Sequence, residues 1–130
     1  MNKTAYLFTR LAIGVSMFGH GLVRLPKLPL FSNWMVTQFE KSILPRAIVA
    51  PFSYILPFAE FLIGLFLIIG LFTKQAATTG VVAMLLLIFG STTIENWDII
   101  PSQLIHIAFF VFVIQFVQSN SYAMDKLRKH

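Results

Sequence analysis

The sequence predicts an all-α integral membrane protein, a four-helix bundle with a short interfacial amphipathic helix in its first outer loop. Of the 130 residues, 57% are hydrophobic, the mean hydropathy is +0.78, and the apolar residues gather in four long segments. A soluble domain of this length has too little interior to hide so much apolar surface, so the bilayer must act as its solvent. We expect a single membrane domain over residues 1–130.

The charge and cysteine content narrow the possible functions. In a soluble protein, a net charge of +5 would suggest nucleic-acid binding. Here the basic residues lie at the ends of the apolar segments. Membrane topology and anionic lipid headgroups explain them, so no nucleic-acid partner is expected. Cysteine is absent, which excludes disulfides, iron–sulfur ligation and thiol catalysis by this chain alone.

Four segments have about the length of ~20 residues that a membrane-spanning helix needs. They cover approximately residues 6–23, 52–72, 76–94 and 99–117. The first resembles a signal peptide in outline, but Arg10 interrupts its apolar region and no small-residue cleavage site follows, so we expect a retained helix. The guanidinium of Arg10 is expected to extend to the lipid headgroups.

The links between the segments predict the topology. Residues 70–75 form a tight turn, which makes the second and third helices an antiparallel hairpin. Four crossings put both termini on one side of the membrane, and that side collects more basic residues, so the positive-inside rule predicts cytoplasmic termini. The basic residues on the terminal side are Lys3, Arg10, Lys74, Lys126, Arg128 and Lys129, and those on the other side are Arg24, Lys27, Lys41 and Arg46.

The long connection between the first two segments contains its own apolar pattern. Met35, Phe39 and Ile43 recur at positions i, i+4 and i+8, which is typical of one face of a helix. Ser32 is suited to cap its beginning. We therefore predict an amphipathic helix over about residues 32–44 that lies in the membrane interface; an irregular loop is the alternative.

Glu60 is the most informative residue, because it lies in an otherwise uncharged apolar run. An ionised side chain at such depth costs roughly 2.5–3.5 kcal/mol on insertion scales, so it must face the protein and find a partner there. With a rise of about 1.5 Å per residue, four further polar residues fall at a similar depth in the outer half of the bilayer. We predict that Glu60 shares a polar pocket with His20, Arg24, Gln103 and His106.

Several short motifs along the chain occur in a characteristic order. They are Arg10–Gly14, Gly19–Gly21 with Lys27 beyond it, Pro57–Glu60, Gly64 and Gly70–Lys74. In this order and spacing the chain resembles the DoxX family of small four-helix membrane proteins. The resemblance implies a bacterial inner-membrane protein related to the membrane subunit of thiosulfate:quinone oxidoreductase. The resemblance supports the fold more strongly than the activity, since no residue here identifies a thiosulfate site.

Two classes of function are consistent with these features. In the first, the chain is a quinone-binding subunit of a redox complex: His20 and His106 donate hydrogen bonds to the quinone carbonyls, and Glu60 exchanges protons. The chain has no redox metal motif, so electrons would pass to a partner subunit. Ligation of haem b by the two histidines is chemically adequate but disfavoured, because Arg24 crowds one ligand face. In the second class, the chain is a non-enzymatic structural or assembly subunit of a larger membrane complex.

Overall fold

The computed structural model describes residues 1–128, and all regular structure within them is helical. Lys129, a member of the predicted basic tail, lies outside the described residues. The all-α class predicted from the sequence is thus confirmed. The helices are α1 (Lys3–Arg24), α2 (Leu28–Gln38), α3 (Arg46–Ile69), α4 (Thr73–Thr93), α5 (Ile100–Gln115) and α6 (Met124–Arg128).

Four stretches of the described chain are long and apolar enough to cross a membrane. They are Lys3–Gln38, Arg46–Ile69, Thr73–Thr93 and Trp97–Gln115, and each overlaps one of the predicted segments. The first contains both α1 and α2, because a short 3-10 turn over Leu25–Lys27 joins them directly. The chain is therefore a membrane protein whose exposed apolar side chains contact lipid.

The four spanning helices form a closed ring. Helix α1 packs on α3, α3 on α4, α4 on α5, and α5 on α1. Their inward faces supply one continuous apolar core, in which Met17, Leu67 and Phe110 are almost completely buried. We call the end of the bundle where α1 ends and α3 begins the loop end, and the end that carries both termini the terminal end.

Helices α1 and α3 approach each other closely because two glycines lack side chains at their contact. A Cβ atom on Gly21 would lie 2.5 Å from the backbone nitrogen of Phe61. A Cβ atom on Gly64 would overlap the backbone of Phe18. Small residues that permit such contact are typical of membrane helix interfaces, and here they bring the end of α1 against the middle of α3.

Arg10 is buried at the terminal end of the bundle, so the prediction that it reaches the lipid headgroups is wrong. Its side chain is 2% exposed. Its Nη1 donates to Asn120 Oδ1 at 2.6 Å, and its Nη2 donates to the backbone oxygen of Tyr122 at 2.8 Å. The segment after α5 folds back over the helix ends and supplies these acceptors, which makes burial of the guanidinium possible.

The same returning segment closes the turn between α3 and α4. Gly70 ends α3 with a φ of +72°, a left-handed conformation that suits glycine. The carboxylate of Asp125 accepts hydrogen bonds from the backbone N–H groups of Phe72, at 2.6 Å, and Thr73, at 2.9 Å. It therefore satisfies the first donors of α4, which would otherwise lack partners.

Helix α2 begins four residues earlier than predicted. Its first turn contains Pro29, which is favourable at that position because its fixed φ is already helical. Ser32 is therefore inside the helix and is not its cap. It is buried, and its hydroxyl oxygen accepts a hydrogen bond from the Ser53 hydroxyl of α3 at 2.7 Å.

The predicted apolar face of α2 is correct only in part. Met35 is buried against α3, and Phe39 packs beside it. Ile43 is 83% exposed, because the helix ends at Gln38 and the chain leaves the helical path before Ile43. The location of α2 in the membrane interface stays a prediction.

The orientation in the membrane is testable by cysteine labelling, because the chain contains no cysteine of its own. Asn33 is exposed at the loop end, and Gln118 is exposed at the terminal end. With cytoplasmic termini, Asn33→Cys should react with a membrane-impermeant maleimide in intact cells, and Gln118→Cys should react only after the cells are opened. Labelling of Gln118→Cys in intact cells would show the opposite orientation.

Arg10→Met should destabilise the terminal end, because Asn120 and the Tyr122 carbonyl then lose a charged donor in a buried site. Hydrogen bonds to charged groups contribute roughly 1.5–3 kcal/mol each. We expect a lower melting temperature in detergent and faster proteolysis of the segment after α5. Lys3→Met, which removes an exposed charge from the same helix, is the matched control. Equal behaviour of the two variants would contradict a holding role for Arg10.

Candidate functional site

An ion pair joins α1 to α3 at the loop end. Arg24 Nη1 lies 2.7 Å from Glu60 Oε1, and the Arg24 side chain is 30% exposed whereas that of Glu60 is 3% exposed. The Arg24 guanidinium carbon also lies 4.6 Å from the centroid of the Phe31 ring in α2, within cation–π range. Arg24 therefore connects three helices, and it supplies the partner that the buried carboxylate requires.

Two imidazoles lie at the contact between α1 and α5. The rings of His20 and His106 are edge to face, with centroids 5.9 Å apart. His20 Nδ1 is 2.6 Å from the backbone oxygen of Ser16, and His106 Nδ1 is 2.7 Å from that of Ser102. A carbonyl oxygen can only accept, so both rings carry their proton on Nδ1 when neutral.

This tautomer changes the role predicted for the imidazoles. In a neutral ring with a protonated Nδ1, Nε2 is an acceptor and has no proton to donate. His106 Nε2 accepts from the Ser16 hydroxyl at 2.9 Å. His20 is exposed, and no residue among 1–128 bonds to its Nε2. The predicted donation of both neutral imidazoles to quinone carbonyls is therefore not supported by this geometry.

Gln103 points in a different direction from His106, although both lie on α5. Its Nε2 donates to the Ser91 hydroxyl of α4 at 3.2 Å. Gln103 is 7% exposed, and its Oε1 is buried without a hydrogen-bond partner in the described part of the chain. Arg10 Nε at the terminal end is likewise buried without a partner among the described residues, and a buried polar atom without a partner is costly.

A cavity of about 390 Å³ lies between α2 and the bundle, with walls from α2, α3, α4 and α5 and from Arg24 at the end of α1. Arg24 and Gln103 are among its few polar lining residues, and most of its surface is apolar. Glu60, His20 and His106 do not line it. Of the five predicted site residues, two thus share a cavity, and the other three lie beside it as partners or neighbours. The aromatic lining residues are Phe31, Trp34, Phe39, Phe52 and Phe89.

The serines that organise this end were absent from the sequence prediction. Ser16 bonds to both imidazoles, and Ser91 bonds to Gln103. Each imidazole Nδ1 lies against the backbone oxygen of the residue four positions earlier, which any residue type can supply, so the serine spacing is not a sequence signal for this contact. The contact of Ser91 with Gln103 has no signal in the sequence either, because it depends on how α4 and α5 pack.

The described residues contain no group of three or more His, Asp or Glu side chains that could hold a metal ion. The polar chemistry of the loop end therefore consists of one ion pair, two imidazoles, one buried amide and the hydroxyl groups beside them. These groups can bind, orient and exchange protons with a small molecule.

Comparison with protein-family models gave a match. The family model described as DoxX matches residues 5–93, which include most of α1 and all of α2, α3 and α4. His20, Arg24 and Glu60 lie within the matched range, and Gln103 and His106 lie beyond it. Neither the curated proteins nor the solved structures gave a match.

The ion pair should respond asymmetrically to mutation. Arg24→Met leaves Glu60 buried without its cation, and breaking a buried pair from one side costs roughly 3–5 kcal/mol. Glu60→Gln should cost less, because the partly exposed Arg24 can turn to water or headgroups. Melting temperatures in one detergent should therefore fall most for Arg24→Met.

The double variant Arg24→Met/Glu60→Gln should melt above Arg24→Met, since no unpaired charge is left. Lys27→Met, which removes an exposed cation in the adjoining turn, should change little. If the double variant is no more stable than Arg24→Met, the ion pair is not the reason for the loss.

Proposed function

The chain belongs to the DoxX family, and from this premise we propose that it is a membrane subunit that binds a lipophilic quinone in the cavity beneath α2. One observation carries the proposal: a largely apolar cavity with five aromatic lining residues is also lined by Arg24 and Gln103. A quinone has a flat apolar ring, an apolar tail and two oxygen atoms, so it requires walls and polar groups of these kinds.

The size and lining of the cavity fit such a ligand. Small-molecule sites typically measure about 300–1,000 Å³ and combine apolar walls with a few placed polar groups. The cavity, at about 390 Å³, can hold a one- or two-ring headgroup and the beginning of its tail. Trp34 and Phe52 offer aromatic faces, against which a flat ring can stack.

We assign the donor role to Arg24. One of its N–H groups is used by Glu60, and the guanidinium has four more, so it can bind a ligand oxygen from the cavity wall. Glu60 does not line the cavity, and we therefore assign it the positioning of Arg24 instead of the proton exchange predicted from the sequence. His20, with an exposed Nε2 acceptor, is the better candidate for exchange of protons with water.

A bound quinone supplies two-electron, two-proton chemistry, and the chain itself provides binding, orientation and a proton acceptor. In this proposal the electrons pass to a partner subunit. We accordingly propose that the protein acts within a redox complex of the bacterial inner membrane, with both termini in the cytoplasm.

A structural or assembly role is the second candidate, and a specific observation favours it. Arg24 with Glu60 and His106 with Ser16 are mutually satisfied pairs, which is what a network that only specifies helix packing requires. The largely apolar cavity lined by Arg24 and Gln103 is the feature that such a role does not explain.

The proposal is tested by obstructing the cavity. Leu86 and Leu85 are neighbours on α4 with the same exposure of 54%, but only Leu86 lines the cavity. Leu86→Trp should reduce the quinone that co-purifies with the protein severalfold, and Leu85→Trp should leave it unchanged. Native mass spectrometry of gently solubilised protein, with solvent extraction and chromatography, measures the retained quinone and any bound subunits.

Two results would contradict quinone binding. One is the absence of quinone from the parent protein together with no saturable uptake of an added quinone. The other is equal retention by Leu86→Trp and Leu85→Trp. A large partner subunit that remains bound in every variant would then favour the assembly role.

A further inference from the structure

We propose that the terminal end of the bundle binds the headgroup of an anionic phospholipid, with Lys74 and Lys126 as its cationic partners. The exposed apolar side chains beside these lysines then contact the acyl chains of the same lipid. This site lies at the opposite end of the bundle from the cavity beneath α2, and it does not depend on quinone binding.

Two lysines that are far apart in the sequence come together at the turn between α3 and α4. The Asp125 carboxylate accepts a hydrogen bond from the backbone N–H of Thr73 at 2.9 Å, and the backbone N–H of Asp125 donates to the Gly70 oxygen at 2.9 Å. Lys74 follows Thr73 and Lys126 follows Asp125, so the two lysines extend from adjoining pieces of backbone. Their long, flexible side chains can therefore approach the same phosphate group.

The positive charge of this pair is not balanced by a neighbouring carboxylate. Lys74 and Lys126 are exposed, and neither forms an ion pair with a carboxylate of residues 1–128. Asp125 is the one acidic residue at the terminal end of the described chain, and the backbone at the start of α4 already uses its carboxylate. The other acidic residues lie toward the loop end, and they are Glu40, Glu60, Glu95 and Asp98.

The position of Lys74 within its helix also favours an anionic ligand. Lys74 is the second residue of α4, where a cation is disfavoured because the beginning of a helix carries a partial positive charge. An anionic headgroup offsets this repulsion. Since helical side chains tilt toward the N-terminus of their helix, Lys74 extends past the end of α4, toward the membrane surface where headgroups lie.

Large apolar side chains accompany the lysines on the segment after α5. Tyr122, Met124 and Leu127 are between 46% and 67% exposed, whereas Ala123 and Asp125 are less exposed and contact the turn between α3 and α4. A free phosphate would need no apolar surface. A phospholipid needs a cation for its headgroup and apolar surface for its chains, and this combination is typical of segments in the membrane interface.

The lipid preference is measured at the site itself, by the quenching of a tryptophan at position 122. The two native tryptophans, Trp34 and Trp97, are replaced by phenylalanine, and Tyr122→Trp supplies the sole indole. Arg10 binds the backbone oxygen of Tyr122, which this substitution leaves in place. The full chain is reconstituted in phosphatidylcholine vesicles that contain increasing fractions of dibrominated phosphatidylglycerol or dibrominated phosphatidylcholine, and bromine quenches an indole in contact with it.

We expect phosphatidylglycerol to bind beside the reporter at least about fivefold more tightly than phosphatidylcholine, because a lysine near an anionic surface contributes roughly that factor. Raised salt should reduce the preference, since exposed charges are screened. Glycerol phosphate in solution should not displace the brominated lipid. Displacement by glycerol phosphate would show that a soluble phosphate ester is the ligand, and it would overturn the assignment to a phospholipid.

Variants in this reporter protein locate the site. Lys74→Gln/Lys126→Gln should lose the preference, and Lys74→Arg/Lys126→Arg should keep it. The matched control is Lys27→Gln/Lys41→Gln, which removes the same charge from two exposed lysines toward the loop end and should keep the preference. Equal melting temperatures of the parent and the variants in phosphatidylcholine alone show that the fold is intact.

Three results would contradict the site. The first is equal quenching of the parent by the two brominated lipids. The second is an unchanged preference in Lys74→Gln/Lys126→Gln, because the lipid would then bind elsewhere. The third is an equal loss of preference in Lys27→Gln/Lys41→Gln, which would show that the net charge of the protein attracts the lipid and that no particular site does.

Discussion

The structure depends on one constraint: in a bilayer, a charged or polar side chain must find its partner inside the protein, because the lipid offers none. Arg10 and Glu60 are the two most deeply buried charges among the described residues, each about 2% exposed. They lie at opposite ends of the bundle. Each charge holds a segment outside the four-helix core. The segment after α5 binds to Arg10, and α2 contacts Arg24, which pairs with Glu60.

The two ends resolve this constraint in different ways. At the terminal end, Arg10 is held by neutral oxygens, and Asp125 is used to cap α4. These hydrogen bonds hold the segment after α5 against the helix ends. At the loop end, the charge of Glu60 is balanced by a side chain that also faces Phe31 and the space beneath α2. Arg24 uses only one of its N–H groups to pair with Glu60, so its other N–H groups can bind a ligand.

The sequence predicted the helices well, because long apolar segments and the cost of a buried carboxylate are local properties of the chain. From depth alone it also placed Arg24, which pairs with Glu60, among the possible partners of that carboxylate. The sequence-based prediction failed where the hydrogen-bond partner of a side chain lies far along the chain, in a segment without a recognisable sequence pattern. Arg10 was expected to reach the headgroups because no residue near it in the sequence indicates a contact with Asn120. Ser32 was expected to cap a helix because its contact with Ser53 depends on tertiary packing.

The predicted site residues contact one another in part: Arg24 pairs with Glu60, and the rings of His20 and His106 meet edge to face. Which roles they can take depends on the second hydrogen-bond partner of each group. Depth and helix face show which residues can meet, whereas chemistry depends on which atoms are already used. His106 is occupied on both nitrogens, and Glu60 is occupied by Arg24. Gln103, the least conspicuous of the five in the sequence, keeps a free buried acceptor. Charge alone therefore does not show which group can contact a ligand, because an atom that is already hydrogen-bonded must lose its partner before it can bind another molecule.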